Sequence, residues 1–254
     1  MSGARYFVVV VVAFFTSFSA RAGFEGCPRF FVNGVVPKVS HASPERQREL
    51  CFDAFAVLYS GQSKTPVYVA ERLSKTQLAD AEGEERTDKF YEEKRLPSAD
   101  RSRLEDFKSR LQQDGFEVRF DRGHMAPAAD MPNAQAMAQS FSLSNMVPQA
   151  PANNRGAWAK NIEKATRKYV QRAAGDVFVF TGPVYSAPVH TLGPNRVWIP
   201  KYLYKLVYDP SANRAWAHWL ENTDEARAGK PISYEELVRR TGIEFIAGAR
   251  PRGI

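Results

Sequence analysis

Phe120-Asp121-Arg122-Gly123-His124-Met125-Ala126-Pro127 puts a histidine at the end of a short strand, behind a glycine and beside an arginine. Further along, Pro151-Ala152-Asn153-Asn154-Arg155-Gly156-Ala157-Trp158 runs into a helix. Phosphodiester hydrolysis needs both kinds of element. A water must lose a proton, and histidine is the side chain whose ordinary pKa suits that task near neutral pH. The transition state and the departing oxygen gather negative charge, which a divalent cation offsets. Magnesium keeps most of its waters and needs few protein ligands, so one amide oxygen beside phosphate oxygens suffices. His124 is therefore the candidate base. Asn153 and Asn154 compete as metal ligand, and either also stands where a helix cap belongs.

Outward from these stretches the elements are mixed. Leu50 to Tyr59 reads as one apolar strand, with Val67 to Leu73 as its partner across the Ser60-Gly61-Gln62-Ser63 turn. Residues 80–101 are crowded with charge and read as a surface loop. Leu104, Phe107 and Leu111 recur at helical spacing, which predicts a helix over 102–113 ended by Gly115. Phe116 to Phe120 alternates as a strand. Helices are predicted over 134–141, over 156–173 after a loop at 148–153, and over 232–241 behind a Ser233-x-x-Glu236 cap. Strands are predicted over 177–180, 198–208 and 215–220. With no regular βαβ period, this points to one α+β domain with a mainly antiparallel sheet.

Several blocks carry a resemblance: Cys27-Pro28, Cys51-Phe52-Asp53-Ala54-Phe55-Ala56-Val57-Leu58, Asp121-Arg122-Gly123-His124, Pro127-Ala128-Ala129-Asp130-Met131, Phe141 to Gln149, Asn154-Arg155-Gly156-Ala157-Trp158 and Thr181-Gly182-Pro183-Val184-Tyr185. In this order and spacing they resemble the DNA/RNA non-specific endonucleases, over most of the chain. The resemblance implies a ββα-metal finger beside an antiparallel sheet flanked by helices. It implies hydrolysis of DNA and RNA with little sequence preference, using Mg²⁺ or Mn²⁺ in its place. His124 resembles the family's general base, and Asn154 its metal ligand, two positions before a glycine. Asn145 resembles a second asparagine that positions the site by hydrogen bonds. Arg122 and Arg86 resemble phosphate-contacting arginines. Glu163 resembles a glutamate that holds water of the cation's hydration shell, and Arg167 an arginine that binds phosphate. One departure stands out. Five positions separate Trp158 from Glu163, where the family commonly has four. An inserted residue turns later side chains by about 100° unless the helix takes it up as a π-bulge.

The 254 residues carry a net charge of +7, which favours polyanionic partners. Residues 1–22 have the layout of a secretory signal peptide: Arg5, an apolar run from Tyr6 to Phe15, and Ala20-Arg21-Ala22 as the cleavage site. The bland alternative is an uncleaved anchor. The expected mature chain is 23–254, exported to the periplasm or beyond, with no stable membrane association once the leader is gone. Export makes a Cys27–Cys51 disulfide the expected state of the two cysteines, two buried thiols being the alternative. Their spacing, and the scatter of His41, His124, His190 and His218, match no zinc site. No Gly-x-Ser-x-Gly elbow or phosphate-binding Gly-rich loop occurs, which leaves esterase and nucleotidase readings without support. Two rivals remain: an exported phosphodiesterase acting on a small molecule, and an inactive nucleic-acid-binding module of the same fold.

Overall fold

The structure is a computed structural model and describes residues 23–40, 44–113 and 116–253. The expected leader, His41 and Gly115 lie outside the described residues. Six antiparallel strands form the central sheet, in the order Arg214–Glu221, Tyr202–Asp209, Val177–Val184, Thr65–Leu73, Phe55–Ser60 and Gln47–Cys51. The apolar run expected as one strand over 50–59 is two strands. The chain turns back at Phe52-Asp53-Ala54, where Phe52 N–H bonds the Phe55 carbonyl, so each half pairs with the other.

Alternation along these strands splits the sheet into two faces. One face sets Tyr68, Phe180, Tyr204 and Leu206 against the amino-terminal 3₁₀ turns and helix α4 (Tyr234–Thr241). The Cys27–Cys51 disulfide, with Cα atoms 5.9 Å apart, ties those turns to the edge strand. Ser233 caps α4, its hydroxyl accepting from Glu236 N–H at 3.2 Å, and Gly242 ends it in the left-handed region at φ 66°.

The other face carries the finger. Strand Asp121–His124 pairs antiparallel with Met146–Gln149, His124 opposite Met146. Helix α2 (Ala134–Ser140), capped by Asn133, lies in the connection between them. Gly123 is required here, because a Cβ at that position would lie 2.1 Å from Gln149 Oε1. The expected loop over 148–153 is shorter: Pro148 and Gln149 are still in the strand. Helix follows almost at once, as a π-helix from Asn153 to Glu163 continuing into α3 (Lys164–Val170).

Two further expectations fail. Residues 102–113 form a 3₁₀ turn at Asp106–Lys108 and a strand at Leu111–Gln113 paired with Phe116–Val118. Tertiary contacts outweigh helical spacing there. Phe107 packs with Leu143, Met146, Leu192 and Val197. Asp106 accepts from the backbone N–H groups of Arg103 and Asn195, at 2.8 and 2.9 Å. The helix expected from residue 156 begins at Asn153, so Gly156 lies inside it. It faces open space, with nothing within 4 Å of a Cβ added there. Among the described residues no helix is long and apolar enough to cross a membrane.

Candidate active site

The finger strands and the π-helix enclose a cleft of about 530 Å³, which His124, Arg122, Arg86, Asn154, Glu163 and Arg167 all line. His124 is 8% exposed, between Phe90 and Phe141, with ring centroids at 5.7 and 4.9 Å. Its Nε2 is buried without a partner. Arg122 covers Phe90 at 3.8 Å and Arg86 covers Phe141 at 5.0 Å, so a guanidinium flanks the base on each side. Burial first, then Arg86, opposed by Asp88 and reinforced by Arg122, depress the imidazole pKa to about 3. His124 is neutral at physiological pH, as a base must be.

Asn145 does not reach the cleft. It is fully buried, and its amide is spent on backbone. Its Oδ1 accepts from Ala126 N–H, and its Nδ2 donates to the carbonyls of Ala126 and Ser140, each at 2.9 Å. Its own carbonyl accepts from Met125 N–H at 3.0 Å. Three of these bonds fasten the chain just after His124, and the fourth ties Asn145 to the end of α2.

The two asparagines part company. Asn153 is fully buried. Its Oδ1 accepts from Gln149 Nε2 at 2.8 Å and its Nδ2 donates to the Glu221 carbonyl at 2.7 Å. Asn154 lines the cleft, and its Nδ2 donates to Asp121 Oδ2 at 2.9 Å. A carboxylate only accepts, so Asp121 fixes which end of the amide faces it. Among the described residues nothing donates to the Asn154 oxygen. Asp121 is itself held by Arg155, at 2.6 and 2.8 Å.

The π-helix absorbs the extra residue before Glu163. Its wider turn returns Glu163 to the cleft with Arg167 one turn on. The two do not pair with each other. Arg167 Nη1 bonds Asp130 Oδ1 at 2.9 Å, and Asp130 is 3% exposed. Burial lifts the Glu163 carboxyl to about pH 7, opposed by Lys205 and Arg167 and reinforced by Asp130. Arg86 leans on Asp88 at 2.7 Å.

Sequence reasoning missed the layer beneath. Lys205 is 1% exposed, donating to Thr181 Oγ1 at 2.7 Å and to the Met125 carbonyl at 3.5 Å, beside the base. Glu71 is fully buried, and neither of its oxygens has a partner. Burial and Asp130 push its carboxyl well above the ordinary range, opposed by Lys205. A signal existed: Lys205 stands between Leu203 and Val207, and Glu71 between Val69 and Leu73, on the inward side of alternating strands. Asp121 and Asp130 also belong to this layer, holding Asn154 and Arg167.

Among the described residues no group of three or more His, Cys, Asp or Glu is arranged to hold a metal. A cation here would depend on few protein ligands, and the open Asn154 oxygen has the right chemistry for a hydrated, oxygen-seeking ion.

Comparisons with known proteins identify the family. Residues 33–251 match the model of the DNA/RNA non-specific endonuclease family. The mitochondrial nuclease EXOG of Danio rerio is 33% identical over 185 residues, 67% of this chain and 51% of that protein. Nuclease C1 of Cunninghamella echinulata is 32% identical over 179 residues, 65% of this chain and 67% of that one. A nuclease of Nostoc is 28% identical over 223 residues, 78% and 72% respectively. The chain thus spans about half the length of the zebrafish relative. A chain in the crystal structure of the EndoG/EndoGI complex superposes with a TM-score of 0.66 at 23% identity, covering 77% of this chain and 84% of that one, and so shares the fold. With the family model spanning the sheet, the finger and the helix behind it, the chain belongs to the DNA/RNA non-specific endonuclease family.

Proposed function

We propose that the protein is an exported, metal-dependent endonuclease that hydrolyses DNA and RNA with little sequence preference. The observation that carries this is a buried His124 whose Nε2 has no partner, in one cleft with Asn154 and four arginines, Arg86, Arg122, Arg155 and Arg167. His124 Nε2 takes the proton from a water that attacks the phosphorus. The bond to the 3′-oxygen breaks, leaving 5′-phosphate and 3′-hydroxyl ends. Arg86, Arg122 and Arg167 offset the phosphate's charge, and Glu163 orients water in the cleft. Asn154 would hold Mg²⁺, or Mn²⁺ in its place, through Oδ1; when bound, the ion supplies positive charge beside the phosphate and the departing oxygen. Contacts to phosphate rather than base edges account for weak sequence preference.

Export is supported by the leader-like residues 1–22 and by the Cys27–Cys51 bridge, since disulfides persist in oxidising compartments. The names of several relatives place those proteins in mitochondria, and that address is not carried over.

Plasmid DNA, RNA and a small chromogenic diester, each incubated with the purified 23–254 chain with and without EDTA, test the reading. The expected result is degradation of both polymers, abolished by EDTA and restored by Mg²⁺. Binding without cleavage would instead identify an inactive nucleic-acid-binding module. Turnover of the small diester alone would identify a small-molecule phosphodiesterase.

A further inference from the structure

Beyond Arg167 the cleft runs into a second groove of about 520 Å³ that the chemistry above leaves unused. Lys164 and Lys168 of α3 line it, and so do Glu82 and Glu84, with Arg86, from the segment after α1 (Lys75–Asp80). Arg86 and Arg167 border both cavities, so the groove continues from the reacting centre. Lys164 and Lys168 are exposed, four residues apart on one helical face, about 6 Å along the axis. Among the described residues neither pairs with a carboxylate, although two glutamates share the groove.

We propose that this groove is a subsite for the sugar-phosphate backbone of one nucleic-acid strand flanking the scissile bond. Lys164 and Lys168 each hold a phosphate, and Glu82 and Glu84 repel a second phosphate row. The argument rests on the proposed function for what occupies the cleft, and on charge placement for the rest. A groove lined by cations alone would suit any polyanion. One that also carries glutamates on a second segment suits a single row of phosphates, because a duplex brings its second row against the glutamates. The groove therefore discriminates between single strands and duplex, a property that the general arginine contacts do not supply.

The test measures binding, so it does not depend on catalysis. Full-length mature protein carrying His124→Ala is titrated with a fluorescent single-stranded oligonucleotide, and with its duplex, over a range of NaCl concentrations. Each phosphate contact on a single strand contributes about 0.7 to the slope of log affinity against log salt. Lys164→Gln with Lys168→Gln should therefore make the single-strand slope shallower by about 1.4. Removing the same charge at the exposed Lys38 and Lys230 should leave the slope unchanged. Glu82→Gln with Glu84→Gln should tighten duplex binding by up to about tenfold and leave single-strand binding as it was. An unchanged slope in the Lys164/Lys168 variant, or an equal change in the Lys38/Lys230 control, overturns the subsite. Duplex binding indifferent to the glutamates overturns its selectivity. Wild-type protein that cleaves nothing would count against the proposed function, while the slopes still decide the groove.

Discussion

The central sheet presents the same backbone to two different neighbours. Towards α4, Tyr68, Phe180, Tyr204 and Leu206 meet Phe24, Leu237 and Phe245 in an almost wholly apolar layer. Its polar costs are small: the Tyr68 hydroxyl is buried without a partner, and the Tyr204 hydroxyl reaches the Val67 carbonyl at 3.4 Å. Towards the finger, the equivalent rows admit Glu71, Thr181 and Lys205, with Asp130 and Glu163 packed above them. Buried charge costs more than the apolar side chains it replaces, and such groups survive only when paired or neutralised. Lys205 is hydrogen-bonded, Asp130 has Arg167, and burial holds the Glu71 carboxyl well above the ordinary range. One face holds the fold together. The other spends stability on keeping a base, an amide and several charges in fixed positions.

If that division is right, substitutions on the two faces should separate chemistry from stability. The largest effect falls on the base. His124→Ala should lower turnover by about 10²–10⁴-fold or more while leaving the thermal transition close to wild type. Turnover within threefold of wild type, measured on plasmid at saturating Mg²⁺, would remove His124 from the mechanism.

Asn154→Ala and Asn153→Ala come next, and they divide along the same line. Asn154→Ala should cost about 10²-fold in activity, partly recovered at high Mg²⁺, with little change in urea stability. Asn153→Ala should lose roughly 1–3 kcal/mol of stability, because it strips partners from the buried Gln149 and the Glu221 carbonyl. A stable, inactive Asn153→Ala beside an active Asn154→Ala would reverse the assignment.

On the apolar face, Phe180→Ala should cost about 3–5 kcal/mol. Phe180 is fully buried, with ring centroids 6.3 Å from Tyr68 and 5.4 Å from Phe245. Folded protein at low temperature should retain wild-type kcat. A matching fall in kcat would show that the faces are coupled.

The last effect is confined to a pH window. The Glu163 pKa rises from 4.5 unfolded to about 7 folded, so its favourable contribution is complete below pH 4.5 and is lost as pH rises through 7. Glu163→Gln cannot ionise, and should therefore gain stability relative to wild type between pH 5 and 8, on the order of 2–3 kcal/mol across the window. Parallel stability curves for the two proteins from pH 4.5 to 8 would mean that Glu163 is not held in a dry, acid-rich environment.

Comparison of particular elements shows what could be read in advance. Ser233 announced α4 because an N-cap bonds within its own turn. The strand opposite Val67–Leu73 was legible because the Ser60–Ser63 turn is local. The 102–113 segment was misread because its apolar spacing suits a helix as well as it suits a turn with Phe107 buried against distant strands. The break at Asp53 was hidden in a run apolar on both sides, since a strand buried on two faces shows no alternation.

For the site, residue type and local spacing were enough to name His124 as a candidate and to restrict the amide to Asn153 or Asn154, while Arg122, Arg86, Glu163 and Arg167 came from the family resemblance. The first two choices depend on chemistry carried by single side chains. Which asparagine faces the cleft was decided by Asp121 on one side and by Gln149 and Glu221 on the other, all outside its own helical turn. Glu163 returns to the cleft because the helix widens, and packing of Trp158 and Ile162 against the sheet-side core accompanies that change. Lys205 gained its place from partners 24 and 80 residues away in the chain. A sequence pattern records neighbours within a turn or a strand; burial of a charge depends on what the rest of the chain brings over it, and only the tertiary structure does that.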